Sequence, residues 1–447
     1  MNPKDYFKTV TRTFLLLAAV TASNSSAQTG DQVWGYKVKP GDRLIDIAKA
    51  YQKSPEEWKK LQQRNAVPDP KLLLPGKQLN IPVVDLKQGE PSAEAVLVHG
   101  DVQRLDKAGQ GVAKLTSGDI LRMGDTVQTG ARSTLTIRFA DDSRMLVTEK
   151  SKVNLASLVN YGKTGMADTK VRVLEGGTDS QVSPQKGPAA KYEINTPALN
   201  LAVRGTGFRV QVEGASGSTR TEVVEGKVNG SSEVSQVDIS GGFGLIAEPG
   251  KPLGQPRKLL AAPQLDGSPN VVGRLPATFG WKALEGAQKY RLQLLAKVQA
   301  NEAILVEELL NNTSVQWDNL PDGEYVLRVR GVDSAGLEGA NAVKAFELLT
   351  RPEPPVLSYP PRDYQSTSRK VSFRWESVAE ADKFVFELAQ DANFTRMVAV
   401  VPQIPKATQG VLLTLPPGPY FWRVASISDK GKAGPFGDDF TFSVLAP

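Results

Sequence analysis

The chain has 447 residues, enough for two to four domains, with an ordinary soluble balance of 40% hydrophobic, 23% charged and 7% aromatic residues. It has no cysteine and one histidine, His99, so thiol nucleophiles are excluded, zinc hydrolase chemistry is short of ligands, and a Ser-His-Asp triad would have to use a histidine set in an apolar run. The formal charge is +6 with bases and acids interspersed, which gives mild affinity for polyanions and not the footprint of a nucleic-acid binder.

Lys4, Lys8 and Arg12 precede a short apolar core, Phe14 to Val20, and a polar stretch ending Ser25-Ser26-Ala27. A basic region, an apolar region and small residues at the cut predict a secretory signal peptide over residues 1–27. The apolar run is too short to cross a bilayer. No cysteine follows the cut, so a lipoprotein anchor is excluded. The expected mature chain is exported and soluble, has no membrane span, and carries a charge near +4. Without disulfides, its stability must come from packing.

From Val33 to Leu86 the order is strand, helix, helix, strand. Trp34-Gly35-Tyr36-Lys37-Val38 is a β-like run stopped by Pro40-Gly41. Leu44, Ile47, Ala48 and Tyr51 then form one helical stripe, with Asp42 placed to cap it. Ser54, Pro55 and Glu57 read as a capping box opening a second helix, whose inner face is Trp58 and Leu61. Lys77 to Pro82 is the closing strand. The segment Tyr36 to Pro82, "YKVKPGDRLIDIAKAYQKSPEEWKKLQQRNAVPDPKLLLPGKQLNIP", resembles a LysM domain over its whole length. It carries the aromatic-X-Val opening, Gly41-Asp42, Ile47-Ala48, Leu61 with Asn65, and Pro75-Gly76-Lys77-Gln78-Leu79-X-Ile81-Pro82.

The resemblance implies binding of the N-acetylglucosamine units of peptidoglycan or chitin, in a shallow groove between the loop entering the first helix and the loop leaving the second. By position, Gly41, Asp42, Arg43 and Leu44 would face Val67, Pro68, Asp69, Pro70, Lys71 and Leu72. Acetamido groups offer a carbonyl, an N–H and a methyl, so backbone amides and a few apolar contacts suffice without a charged catalyst. Arg43 stands where the family commonly has a small hydroxyl residue. Asp42 as a helix cap and Leu44 as core are equally open readings.

From Glu94 to Pro249, strand signals recur at roughly ten-residue spacing, predicting an all-β sandwich, roll or stack. Leu135, Ile137 and Phe139 alternate with polar neighbours before Asp141-Asp142-Ser143 turns the chain into Arg144 to Val147. Phe208, Val210 and Val212 do the same before the turn Gly214 to Ser218. The run Asn195-Thr196-Pro197 through Val203-Arg204-Gly205-Thr206-Gly207-Phe208, followed by Val224-Glu225-Gly226-Lys227-Val228, resembles the FecR domain. Arg204 is expected to be a structural arginine that fixes a tight turn against carbonyls or a carboxylate. Signalling members of that family carry a cytoplasmic segment and a membrane helix; neither is found here, so an anti-sigma arm is not implied.

Residues 263–350 and 352–447 form an internal repeat. Phe279-Gly280-Trp281 matches Phe373-Arg374-Trp375, 94 apart, and Leu320-Pro321-Asp322-Gly323-Glu324-Tyr325 matches Leu415-Pro416-Pro417-Gly418-Pro419-Tyr420, 95 apart. The size and order resemble fibronectin type III-like sandwiches, each expected to have seven strands, joined by the stiff linker Arg351-Pro352-Glu353-Pro354-Pro355. Trp281, Trp375, Tyr325 and Tyr420 are read as core and not as a sugar-stacking set.

The expected fold class is therefore mainly β and multidomain: a signal peptide (1–27), a small βααβ LysM module (33–86), a β-rich FecR-like domain (94–249) and two immunoglobulin-like or fibronectin type III-like sandwiches (263–350 and 352–447). The expected function is an exported, non-catalytic peptidoglycan-binding protein of the periplasm that tethers protein-interaction domains to the cell wall. Its expected partners are N-acetylglucosamine-containing glycan and an unidentified envelope protein. No catalytic residue, cofactor or metal site is assigned. The alternative is a FecR-type envelope sensor or regulator. A cell-wall glycan hydrolase is the weakest reading, because its two carboxylates are available by composition but no segment resembles a hydrolase core.

Overall fold

Residues 32–446, except Pro91, Lys107, Ser268, 299–300 and Gln409, are described by a computed structural model. The expected signal peptide lies outside the described residues. The fold is mainly β, with helix confined to a small N-terminal module apart from short 3₁₀ turns. Two compact units divide the chain, one ending at Lys87 and the other beginning at Gln88. Among the described residues, no helix is long and apolar enough to cross a membrane.

In the first unit, β1 (Val33–Lys37) pairs antiparallel with β2 (Gln78–Pro82), and between them lie α1 (Leu44–Tyr51) and α2 (Trp58–Arg64). The predicted stripe packs inward: Leu44, Ile47 and Ala48 are buried together with Leu61, Leu79 and Ile81. Trp34, Tyr36 and Tyr51 cluster with ring centroids 5.0–5.8 Å apart. Asn65 fastens the end of α2 to β2, donating to Leu61 O and Asn80 O while accepting the Asn80 N–H at 2.6 Å. Two predicted caps are not made. The residue before α1 is Arg43, and no side chain caps it. The Ser54 side chain caps nothing; Pro55–Glu57 is instead a 3₁₀ turn that runs into α2, and Glu57 pairs with Lys60.

In the second unit, strands from Ser92–His99 to Arg257–Lys258 form two layers over one apolar core containing Leu135, Ile137, Val171, Tyr192, Phe208 and Val223. One strand, Ala167–Gln181, belongs to both layers. Its first half pairs with Lys152–Asn160 and Lys191–Asn195, its second with Arg144–Val147 and Gly207–Val212. The change of layer falls at Gly176, where φ is +79° and a Cβ would come within 2.5 Å of the Ser151 Cα. Only glycine fits such a left-handed, crowded position.

Two sheet-on-sheet sandwiches follow. The first has seven strands, five in the sheet that ends with Asn301–Leu310 and two in the pair Ala277–Gly280 with Ser314–Trp317. Among the described residues the second has nine, in sheets of three and six, because short strands at Leu357–Tyr359 and Ala433–Phe436 have no counterpart in the first. In both, the tryptophans and tyrosines are core: Trp281 and Trp375 are each 3% exposed. Tyr325 and Tyr420 donate their hydroxyls to Pro321 O (2.6 Å) and Pro416 O (2.9 Å), so each Leu-Pro-X-Gly-X-Tyr motif closes its own corner.

Candidate functional site

The two loops singled out for glycan binding are joined by one main-chain hydrogen bond, from the Leu44 N–H to Pro70 O at 3.0 Å. Gly41 makes the entry turn with φ +86°, a left-handed value favouring glycine. Asp42 braces that turn: its Oδ2 accepts the Tyr36 hydroxyl at 2.8 Å and the Lys39 N–H at 2.7 Å. Burial and this carboxylate push the Tyr36 phenol up to about 12, so it stays protonated and donating. Arg43 is exposed and pairs with Asp46 at 2.6 Å, one turn along α1.

On the facing loop, Asp69 accepts the Lys71 N–H at 2.8 Å. Val67 is tied to Gln62 by two bonds, one of them from the Gln62 side chain. Of the ten residues, Leu44 and Val67 turn their side chains into the core; Gly41, Arg43, Pro68, Asp69, Lys71 and Leu72 are exposed, and Asp42 and Pro70 are half-buried. The surface open to a ligand is thus backbone, one proline-rich ridge and the apolar Leu72, which is 75% exposed. Asp42, Asp46 and Asp69 each hold a local hydrogen bond or ion pair.

Arg204 does not do what its sequence setting suggested. Its side chain is exposed and has no hydrogen bond or ion pair among the described residues. The turn is held by its neighbours. Gly205 has φ +81° and would place a Cβ 2.9 Å from the Pro184 Cα, and the buried Thr206 accepts the Val182 N–H through its carbonyl. Arg204→Ala is therefore expected to change stability by no more than about 0.5 kcal/mol, as for other exposed substitutions. Gly205→Ala should cost more than about 1 kcal/mol through strain and overlap. Paired urea titrations check both, and equal losses would return the turn to the arginine.

The arginine that matters is five residues on. Arg209, 4% exposed, donates through Nη2 to Glu338 O (2.9 Å) and Gly339 O (2.7 Å) in a hairpin of the first sandwich. Its cross-strand partner Glu222 accepts the Glu338 N–H at 3.2 Å. The Glu338 carboxylate is held by Arg330 and, at 3.0 Å, by Arg291; Arg330 also reaches Asn341 at 3.1 Å. Among the described residues Arg209 Nε and Nη1 have no hydrogen-bond acceptor, although Nε lies 3.7 Å from Glu222 Oε2, and Arg209 is one of the residues lining a polar cavity of about 30 Å³. An apolar contact supports the junction, with Leu146 against Leu295, Ile304 and Val326.

Burial raises the Glu222 carboxyl to about 7, despite Arg209 beside it. Burial alone would raise Glu338 too, but Arg330, Arg291 and Arg209 outweigh it and hold this carboxyl well below the usual range. The β-domain and the first sandwich are thus locked by buried charge. In sequence, Arg209 and Glu222 simply alternate with apolar residues; alternation says that they face outward from their own core and not what covers them.

The LysM domain profile matches residues 36–82, and the FecR protein profile matches residues 125–229. An uncharacterized protein of Deinococcus radiodurans is 43% identical over 61 residues, which is 14% of this chain and 23% of that protein. The chain therefore spans less than a quarter of the curated relative it matches. Among solved structures, a candidate anti-sigma factor from Parabacteroides distasonis aligns with 16% identity and a TM-score of 0.24, over 30% of this chain and 58% of that one. The FN1–FN3 domains of chicken CNTN1 align with 13% identity and a TM-score of 0.21, over 57% of this chain and 98% of that one. Likeness this low carries no functional argument.

Proposed function

We propose that the protein is an exported, non-catalytic peptidoglycan-binding protein of the periplasm. In this reading the module 33–86 grips N-acetylglucosamine-containing glycan, and the domains 94–249, 263–350 and 352–447 present surfaces to other envelope proteins. The last two are taken as fibronectin type III-like modules. The observation that carries the reading is the Leu44 N–H to Pro70 O bond: it sets the Gly41–Arg43 and Pro68–Leu72 loops side by side within a segment that matches the LysM profile. Acetamido groups would lie across these loops, with Leu72 meeting the methyl. The FecR match over 125–229 supports a second reading, an envelope sensor that passes wall contact to a signalling partner.

Residues 28–447 should co-sediment with purified peptidoglycan, with weak affinity, about 10 μM to 1 mM, as expected for a small contact with few anchors. Deleting 33–86 should abolish pelleting, and Leu72→Asp should weaken it several-fold without lowering the melting temperature. Equal pelleting of the deleted protein would place the binding elsewhere and end the assignment. Release of labelled sugar from the same sacculi would convert the protein into a hydrolase.

A further inference from the structure

The net charge is not spread along the chain. Between Val33 and Lys87, eleven basic residues stand against six acids, an excess of five. Residues 88–447 hold 40 bases and 40 acids and carry no net charge. The first unit thus supplies the whole positive excess of residues 28–447.

Little of that charge is spent inside the unit. Among the described residues, its only basic side chains in ion pairs are Arg43, with Asp46, and Lys60, with Glu57. Two acids fold back on the candidate loops instead: Asp42 accepts the Lys39 N–H and Asp69 the Lys71 N–H, main-chain bonds that leave both ammonium groups without a partner. Lys39 and Lys71 are exposed. One leads into the Gly41 turn, and the other follows Pro70, whose carbonyl takes the Leu44 N–H.

We propose that this unit selects glycan whose stem peptides bear free carboxylates over neutral N-acetylglucosamine polymer, with Lys39 and Lys71 meeting those carboxylates beside the bound sugar. The inference rests on the glycan-binding reading above and names the chemical class of glycan that the unit takes.

A chitin-type chain is uncharged, so an excess of five cations gains nothing from it. In peptidoglycan a peptide hangs from alternate sugars, and its carboxylates lie close to the acetamido groups that the loops would hold. Charges interact over about 8 Å at physiological ionic strength, so a lysine on either loop reaches a stem attached to a bound sugar. A single exposed ion pair is weak, but several like charges raise the local concentration of an anionic ligand and its rate of capture. An ammonium on a flexible side chain also follows a mobile peptide, where a rigid fork would demand one geometry. DNA and anionic bilayers share the charge but not the acetamido groups that the paired loops suit.

Three soluble ligands of equal sugar length, titrated into residues 28–447, test this: glycan strands with their stem peptides, the same strands with every carboxylate converted to an amide, and a chitin oligomer. The intact strands should bind several-fold tighter than the other two, and the gap should close as salt rises from about 50 to 500 mM. Lys39→Gln combined with Lys71→Gln should bring the intact strands down to the level of the amidated ones, with the melting temperature unaltered because neither side chain is bonded. If the double variant melts early, the amidation and salt comparisons on the unaltered protein carry the test. Equal, salt-independent affinity for all three ligands overturns the proposal and leaves glycan binding standing. No binding to any of them ends the glycan reading and the proposal with it. A preference for intact strands that survives both glutamines overturns the assignment to these lysines. Tighter binding to a DNA duplex or to phosphatidylglycerol vesicles than to intact strands would make the unit a general polyanion binder and also overturn it.

Discussion

Trp375→Ala is expected to cost about 3–5 kcal/mol, a loss large enough to unfold the second sandwich at 37 °C. The indole is 3% exposed and packs edge-on against Phe384, with centroids 5.6 Å apart, and beside Phe386 at 6.3 Å. Removing it leaves a void that the flanking strands cannot close without bending. Among the described residues the indole N–H has no hydrogen-bond partner, so this tryptophan is kept for bulk and not for polarity. Trp375→Phe should therefore cost a fraction of the alanine change. Urea unfolding followed by fluorescence of the remaining tryptophans measures both. A Trp375→Ala protein that melted normally but lost glycan binding would make the ring a sugar platform, which its burial argues against.

Glu338→Ala should uncouple the first sandwich from the β-domain at a cost of about 3–5 kcal/mol, the range for breaking a buried pair from one side. Arg330 is 5% exposed and Arg209 is 4% exposed. Arg330 would lose the carboxylate it pairs with, and Arg209 one of those that offset its charge, Glu222 remaining beside it. Calorimetry should show the wild-type transition for residues 88–447 split in two, and a single unshifted transition would make the ion cluster energetically idle.

The same cluster sets a pH window. Glu222 has a docked value near 7, above its ordinary 4.5, so its contribution is fully present below about 4.5 and is lost as pH rises through 7. Glu338 is depressed, so its contribution is present above 4.5 and is lost as pH falls further. Docking should be firmest between the two, tighter at pH 6 than at pH 8. Glu222→Gln should remove the alkaline loss and keep the acid one.

Much of this molecule could be read from its sequence because the signals are local. The stripe Leu44, Ile47, Ala48 and Tyr51 fixes one helix, and period-two alternation at 134–139 and 207–212 fixes strands whatever surrounds them. The repeat could be read because Trp and Tyr recur with their own turns. Where local signals compete, the reading failed. Asp42 is a good cap in isolation, but the Tyr36 hydroxyl and the Lys39 amide claim it first. Arg204 looked structural because it adjoins a tight turn, while Arg209, on the outward face of a plain strand, is buried by a hairpin about 130 residues away. That distance hides the ion cluster: each of its members looks like a solvated charge until the second layer arrives.

The strand Ala167–Gln181 has a consequence for the order in which the chain can fold. As the polypeptide emerges from N- to C-terminus, Arg144–Val147 must wait for residues 178–181, and those in turn for Gly207–Val212. Neither layer can close on its own, because one continuous strand is structural to both. The β-domain is thus a single cooperative unit rich in non-local pairing, a topology that folds slowly. Its early strands spend that interval with open edges, the state in which chains aggregate or recruit chaperones. A break or permutation at Gly176, where the glycine pair invites a cut, would leave two halves that each lack a central strand. The tolerant sites lie instead in the hairpin tips, such as Gly214–Ser218, where the chain reverses between strands already paired with each other.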